Sequence, residues 1–505
     1  MFYEVFVRSF ADSNGDGIGD LRGLTARLDT LNDGNPATTN DLGITGIWLM
    51  PIAESPSYHG YDVADERAVE RDYGTLDDLR TFLAAAHQRG IAVITDLVLN
   101  HTSNRNPWFV DSAAGTGHQD WYIWSDTDPG YGGPDGQAVW HRSGTRFYYG
   151  LFGEDLPDLN LRSSAVTAEM EAVARFWLSD VGVDGFRLDA IKHLVEDGQK
   201  QVHTPATHDW LRAFRASVRA AKPDAFLVGE VFDLAAAAAQ YTPEDVEQVF
   251  EFGIAQATID SIRRGDASAL AGALIEDEDL FGAGETATFL TNHDQDRIAS
   301  QLREDPAAER LAATLLLTGG GTPFLYYGEE IGLTGQKPDE RIRTPMAWDG
   351  AGPAAGFSTA PPWEPLEEGW QTRNVAAHTA DPASLRSAYR DLIRIRAGHP
   401  ALTQGATLLL TASDPAVHAV LRSTSDETIA IVANVSDRAV SGATVTLEQG
   451  PLCGTIAGVS VLYGSDGARS AEIAPPVATS AGGFAAWSPL PSLPPRTAFV
   501  IRLGS

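Results

Sequence analysis

Four apolar, strand-like runs in this chain each lead into acidic residues: Asp96 to His101, Gly185 to His193, Val228 to Val231 and Leu290 to Asp294. In barrels of parallel strands, catalytic side chains gather from the carboxyl ends of several different strands. Carboxylates at such tips, far apart along the chain, can therefore face one pocket. This recurrence limits the fold more than any bulk property does.

The runs extend to eight candidate strands: Phe2 to Val7, Gly46 to Met50, Ala92 to Leu97, Gly185 to Leu188, Phe226 to Gly229, Val249 to Phe252, Thr288 to Leu290 and Phe324 to Tyr326. Between them, Leu76 to Arg89, Val166 to Asp180, His208 to Ala221 and Ala307 to Leu317 space their apolar residues by three and four, as amphipathic helices do. Repeated β-α units with acidic tips throughout the array predict an α/β fold built on an eightfold (β/α) barrel. A doubly wound sheet would concentrate its chemistry at one switch point.

Two stretches break the repeat. Residues 102–160 carry Trp108, Trp121, Trp124 and Trp140 among many Gly, Asp and Tyr, without helical periodicity, and read as a small inserted domain after the third strand. The tryptophans are expected mostly as its core. Residues 329 to about 383 are rich in Pro and Gly and exceed the usual length of a structureless connection, which suggests an active-site loop. Beyond residue 400, runs such as Ala406 to Leu410, Ala416 to Arg422, Thr428 to Val432 and Ala498 to Arg502 alternate with turns and predict a C-terminal antiparallel β-sandwich. The expected domains are barrel 1–101, insertion 102–160, barrel 161–399 and sandwich 400–505.

Composition sets the class of partner. With 505 residues and 43% hydrophobic content, the chain can bury a barrel-sized core and a smaller domain. Its formal net charge of −31 repels nucleic-acid phosphates and anionic membranes. No apolar run is long enough to span a bilayer, and Phe2 to Phe10 alternates like a strand instead of showing a leader's basic-then-apolar order. A cytoplasmic location, or secretion after removal of a leader, both stay open. The single cysteine, Cys453, excludes an internal disulfide and reads as a small buried hydrophobe.

The four acidic segments, in this order, resemble the four signature regions of the α-amylase family, glycoside hydrolase family 13. The closest resemblance is to the group intermediate between α-amylases and oligo-1,6-glucosidases, and it extends over the inserted and C-terminal domains. It implies Asp189 as nucleophile, Glu230 as general acid/base and Asp294 as a third, sugar-binding carboxylate. Arg187, His101 and His293 would complete the inner shell. In Tyr58-His59-Gly60-Tyr61, the resemblance implies that Tyr61 stacks on the sugar and His59 hydrogen-bonds it.

Physical chemistry supports these roles. Retaining glycoside cleavage needs one ionised and one protonated carboxyl group roughly 5 to 5.5 Å apart. Arg187 lies two positions before Asp189, so on a strand both point to one face and the guanidinium can keep Asp189 ionised. Apolar neighbours such as Val231 and Phe232 are expected to keep Glu230 protonated.

Two segments bear on specificity. Exo-acting relatives typically carry Asp where Tyr58 stands, and Lys192-His193 is typical of α-amylases, so an endo-acting enzyme with Lys192 in the substrate groove is expected. Leu156 to Asn160 and Arg343 to Asp349 instead resemble segments of oligo-1,6-glucosidases and trehalose synthases. An α-glucosidase, or a glucosyl transferase or isomerase with the same residues, is the alternative.

Calcium is expected at one or two sites. Asp12, Asn14, Asp16 and Asp20 alternate around Gly17, as in the first nine positions of a calcium loop, while Gly23 stands where a full EF-hand has Glu; the family resemblance implies a calcium held by these four and the Ile18 carbonyl. The second, implied by resemblance, would use Asn100, Asp158 and the His193 backbone oxygen. The chain is thus expected to be a monomeric, calcium-binding α-amylase acting on starch or maltooligosaccharides, with neither nucleic acid nor membrane as partner.

Overall fold

The computed structural model describes all residues except 283, 453–455, 457, 468–472 and 505, so the expectation for Cys453 lies outside the described residues. Eight strands, Phe2–Val5 (β1), Gly46–Leu49 (β2), Ala92–Leu97 (β3), Gly185–Leu188 (β4), Phe226–Gly229 (β5), Gln248–Phe250 (β6), Thr286–Thr288 (β7) and Thr322–Tyr326 (β8), close into a barrel in the order β1-β8-β7-β6-β5-β4-β3-β2. Pairs β2–β3, β3–β4, β4–β5, β5–β6 and β7–β8 run parallel. Strands buried on both faces read as continuous apolar runs, and β2 and β4 are buried at every position.

All eight expected strands are present, with shifted ends. The sixth stops at Phe250 because the Glu251 side chain accepts the Ile254 amide and caps the helix Phe252–Arg264. The first gives way to a one-turn helix, Val7–Phe10. The seventh lies two residues earlier than expected.

The chain gathers into two compact units: Met1–Tyr3, Asp29–Ile44 and Glu251–Ser505 in one, Glu4–Leu28 and Thr45–Phe250 in the other. The latter holds β2 to β6. Its segment 102–160 contains a helix, Pro107–Ala114, that sequence periodicity missed, and an antiparallel sheet of Trp124–Ser125, Trp140–Ser143 and Arg146–Tyr149. Eight residues are too few for a periodic signal, but the end signals are plain. Asn106 accepts the Trp108 amide, Pro107 takes the first turn, and Gly115 ends the helix at φ +70°. The four tryptophans are half-buried rather than fully enclosed. Trp124 stacks on Phe109 and Trp140 packs edge-on against Tyr149, while both also line a cavity of about 530 Å³.

The other unit holds β7, β8 and the C-terminal strands. Residues 329–383 are mostly irregular, with short helices Asp339–Ile342 and Val375–Ala380. Beyond them a five-stranded and a three-stranded antiparallel sheet share a core in which Leu421, Val432 and Ile501 meet Phe484 and Trp487.

One close approach fixes the neighbourhood of β4 and β5. A Cβ at Gly185, which has φ +154°, would lie 1.9 Å from the Phe226 carbonyl oxygen. Gly185→Ala should therefore destabilise the protein by about 3 kcal/mol or more, from overpacking and backbone strain together. Urea unfolding measures this, and a loss below about 1 kcal/mol would contradict the close approach.

Candidate active site

The register of β4 and β5 builds the site. Leu188 pairs with Gly229 and Val228 with Arg187, so Asp189 and Glu230 are the next residues on neighbouring strands at matching height. Parallel neighbours lie about 4.8 Å apart. Main-chain bonds continue past the strand ends: Glu230 N donates to Leu188 O at 2.9 Å, and Ile191 N to Glu230 O at 3.2 Å.

Arg187 ties the carboxylates together. Its Nη1 donates to Asp189 Oδ1 at 2.6 Å and to Asp96 Oδ1 at 2.6 Å, and its Nη2 pairs with Glu230 Oε2 at 2.8 Å. Asp189 and Glu230 thus both lie within the reach of a single guanidinium. Burial opposes the charge of Arg187, but Asp96, Glu230, Tyr61 and Asp189 outweigh it and hold the group well above its ordinary pKa. The expected Arg187–Asp189 pair is present. The apolar wall expected around Glu230 is not what is found. Its Oε2 meets the guanidinium and the Ala190 amide, at 3.1 Å, while Phe232 is 66% exposed and turned to solvent.

Sequence reasoning did not single out Asp96. Its carboxylate, fully buried, accepts from Arg187, from Tyr61 OH at 3.1 Å and from Trp48 Nε1 at 3.2 Å. Register supplied the missing signal: Asp96 pairs with Arg187 across β3 and β4. Tyr61 sits beside the guanidinium, and His59 stacks on Tyr61 with ring centres 6.1 Å apart. His101 is buried and packs near Phe152. Lys192 donates to Phe232 O at 2.6 Å and pairs with Asp233 at 3.1 Å, which ties the loops after β4 and β5. A cleft of about 380 Å³ is lined by His59, Asp62, Arg105, Phe152 and Asp155 among others.

In the other unit, Asp294 is exposed and held by two partners. Arg343 Nη2 reaches its Oδ1 at 2.9 Å, and His293 Nε2 lies 3.1 Å from its Oδ2. Arg343 also donates through Nε to the His293 carbonyl at 2.9 Å. Arg343 belongs to the segment noted for specificity, yet its hold on Asp294 was not foreseen.

The calcium expectations meet two different environments. In the loop Asp12 to Asp20 every candidate donor is a hard oxygen, and Gly15 and Gly17 take positive φ. Asp12 accepts the Gly15 and Gly17 amides at 2.7 and 2.8 Å, while Asp20 is turned to Ser13 and to the Gly23 amide. Among the described residues no cluster of three His, Cys, Asp or Glu side chains is drawn close enough to hold a metal by itself.

Around Asn100 and Asp158 the arrangement suits a cation. Asn100 Nδ2 donates to Asp158 Oδ2 at 2.9 Å, leaving Asn100 Oδ1 buried without a hydrogen-bond partner. Burial, aided by Glu196, pushes the Asp158 carboxyl well above the carboxylate range, and burial pushes Glu196 up to about 7. Glu196, which sequence reasoning missed, adds a second acidic group close enough to act on Asp158 electrostatically. The His193 ring is tied to Gln201 O at 3.2 Å.

Residues 4–405 match the family described as alpha amylase, catalytic domain. Alpha-amylase 3 of Dictyoglomus thermophilum is 38% identical over 444 residues, covering 86% of this chain and 84% of that protein. Oligo-1,6-glucosidase of Parageobacillus thermoglucosidasius is 31% identical, covering 86% and 90%. The crystal structure of an alpha-amylase from H. orenii superposes with a TM-score of 0.84 at 38% identity, covering 99% of each chain.

Burial lowers His101 from 6.5 to about 4. Above pH 6.5 both folded and unfolded chains hold it neutral; below, the unfolded chain gains a proton that the folded one refuses until about 4. Stability is therefore lost as pH falls through that window. His101→Gln should flatten stability against pH between those values by about 1 to 3 kcal/mol, read from urea unfolding. An unchanged slope would refute the assignment.

Proposed function

Because the chain belongs to the α-amylase family of glycoside hydrolases, we propose that it cleaves internal α-1,4-glucosidic bonds of starch and maltooligosaccharides with retention of configuration. The observation that carries this is the matched height of Asp189 and Glu230 on adjacent strands, whose spacing suits a retaining pair.

Asp189 attacks the anomeric carbon while Glu230 gives its proton to the departing oxygen. Glu230 then takes a proton from water, which releases the sugar from Asp189. Arg187 orients both. With Glu230 protonated, Asp96 and Asp189 beside the one guanidinium still leave excess negative charge, which favours the positive charge that develops on the sugar ring. Tyr61 offers an aromatic face to the ring's C–H surface, with His59, His101 and Lys192 in polar contact. Asp294, steadied by Arg343 and His293, serves as the third carboxylate.

The endo-acting assignment rests on Tyr58, which stands where exo-acting relatives place Asp, and on Lys192-His193. The segments Leu156 to Asn160 and Arg343 to Asp349 favour a second reading, an α-glucosidase or glucosyl transferase built on the same residues. We also propose calcium at Asn100, Asp158 and the His193 carbonyl, and in the loop through Asp12, Asn14, Asp16, the Ile18 carbonyl and Asp20. Bound there, calcium would neutralise the carboxylates and brace the loops that carry them.

Asp189→Asn should cut starch hydrolysis by more than about a thousandfold with an unchanged circular dichroism spectrum; a variant keeping a tenth of the activity would overturn the nucleophile. A time course on starch and maltoheptaose should show mid-length products first. Glucose alone from the start would favour end trimming, and new linkages or trehalose would favour transfer. With calcium at about a hundred times its Kd, chelation should remove about 2.7 kcal/mol of stability. If no metal co-purifies and neither calcium nor chelator moves the melting temperature, the calcium proposal fails.

A further inference from the structure

Away from the catalytic residues, the unit that carries the C-terminal sheets encloses a cavity of about 190 Å³. It lies between the helices Phe252–Arg264, Ser268–Leu280 and Pro306–Thr318 and the strands Ala406–Leu409, Val417–Ser423 and Thr428–Asn434. Its walls are largely apolar: Leu270, Phe289, Leu315, Leu316, Val420 and Ile431 line it and are all buried. An apolar cavity of roughly 150 Å³ is already large enough to take up benzene.

Several polar side chains interrupt the apolar wall, and two of them have an unsatisfied buried atom. His418 is 4% exposed and its Nδ1 has no hydrogen-bond partner. Burial lowers it to about 4, so at neutral pH it is an uncharged imidazole with a ring nitrogen able to accept. Asp277 Oδ1 is likewise buried without a partner. Burial, with Glu251 and Glu278 nearby, raises its carboxyl to about 7. Leaving such atoms unpaired is costly, and a site that does so suits a ligand that supplies the missing donors.

The charged side chains that line the cavity have one sign, with the Arg422 guanidinium lying just behind them. Asp277, Glu278 and Asp279 line it, and no Lys or Arg does among the described residues. Arg422, behind Thr407, spends its guanidinium on the Thr407 hydroxyl and on the Ala401 and Leu402 carbonyls, each at 3.3 Å. The His418 ring nitrogen and the Asp277 oxygen can each accept a hydrogen bond, the lining side chains at the rim are acidic and the body is apolar.

We propose that this cavity binds a small hydrophobic amine, its hydrocarbon body among the leucines and its ammonium donating to Asp277 and the His418 ring. Such a site is separate from the sugar-processing residues and uses none of them.

Calorimetric titration of the full chain at pH 7.5 with benzylamine, benzyl alcohol and benzoate tests this. One saturable site is expected, with benzylammonium bound roughly tenfold tighter than the alcohol, as a charged hydrogen bond in a buried site implies, and with benzoate excluded. D277N should erase the preference for the amine while keeping alcohol binding, and L316W should fill the cavity and remove both. If L316W does not fold, L274W at the half-buried wall takes its place. The proposal is overturned if benzylamine gives no saturable heat, if amine and alcohol bind equally, or if D277N leaves amine binding unchanged. Loss of amine binding in D189N would also overturn it, by placing the amine on the catalytic carboxylates.

Discussion

A single buried guanidinium holds together the carboxylates at the ends of three neighbouring strands. Arg187 is 1% exposed and faces Asp96, Asp189 and Glu230 at 2.6, 2.6 and 2.8 Å. A buried charge is tolerated only when paired and hydrogen-bonded, and here the pairing does two things at once. It makes burial of the arginine affordable, and it draws two carboxylates from neighbouring strands toward one another. Asp96, with its acceptor capacity taken by Arg187, Tyr61 and Trp48, anchors the arginine from behind.

That arrangement rests on backbone geometry. The carboxylates match in height because β4 and β5 pair in one register, and the strands can approach because Gly185 has no Cβ to meet Phe226. A one-residue slip in a sheet turns side chains to the opposite face, so register protects the chemistry as well as the core. The loops after β4 and β5 are tied again by Lys192, through the Phe232 carbonyl and Asp233.

The surroundings of Asp158 carry a different kind of strain. Asp158 and Glu196 are acidic groups held from water, with an unsatisfied Asn100 oxygen beside them. This is an arrangement with unmet electrostatic demand. The Asp12 to Asp20 loop, in contrast, already satisfies much of its own oxygen through backbone amides. The two expected calcium sites therefore differ physically even though both offer hard oxygen donors.

All eight barrel strands, and the approximate positions of Asp189 and Glu230 at their ends, were legible in the chain, because strands buried on both faces leave unbroken apolar runs and acidic tips interrupt them visibly. The helix Pro107–Ala114 was not, since two turns carry little periodicity. Nor were the charged neighbours of Glu230, the anchoring role of Asp96, the approach of Glu196 to Asp158, or the grip of Arg343 on Asp294. These are contacts between residues dozens of positions apart. The order of residues by itself determined which segments become strands and which carboxylates end them, because burial and periodicity are local properties. Only the tertiary structure decided which of those groups share a guanidinium or a cavity, because pairing depends on register and burial between segments that no local pattern records.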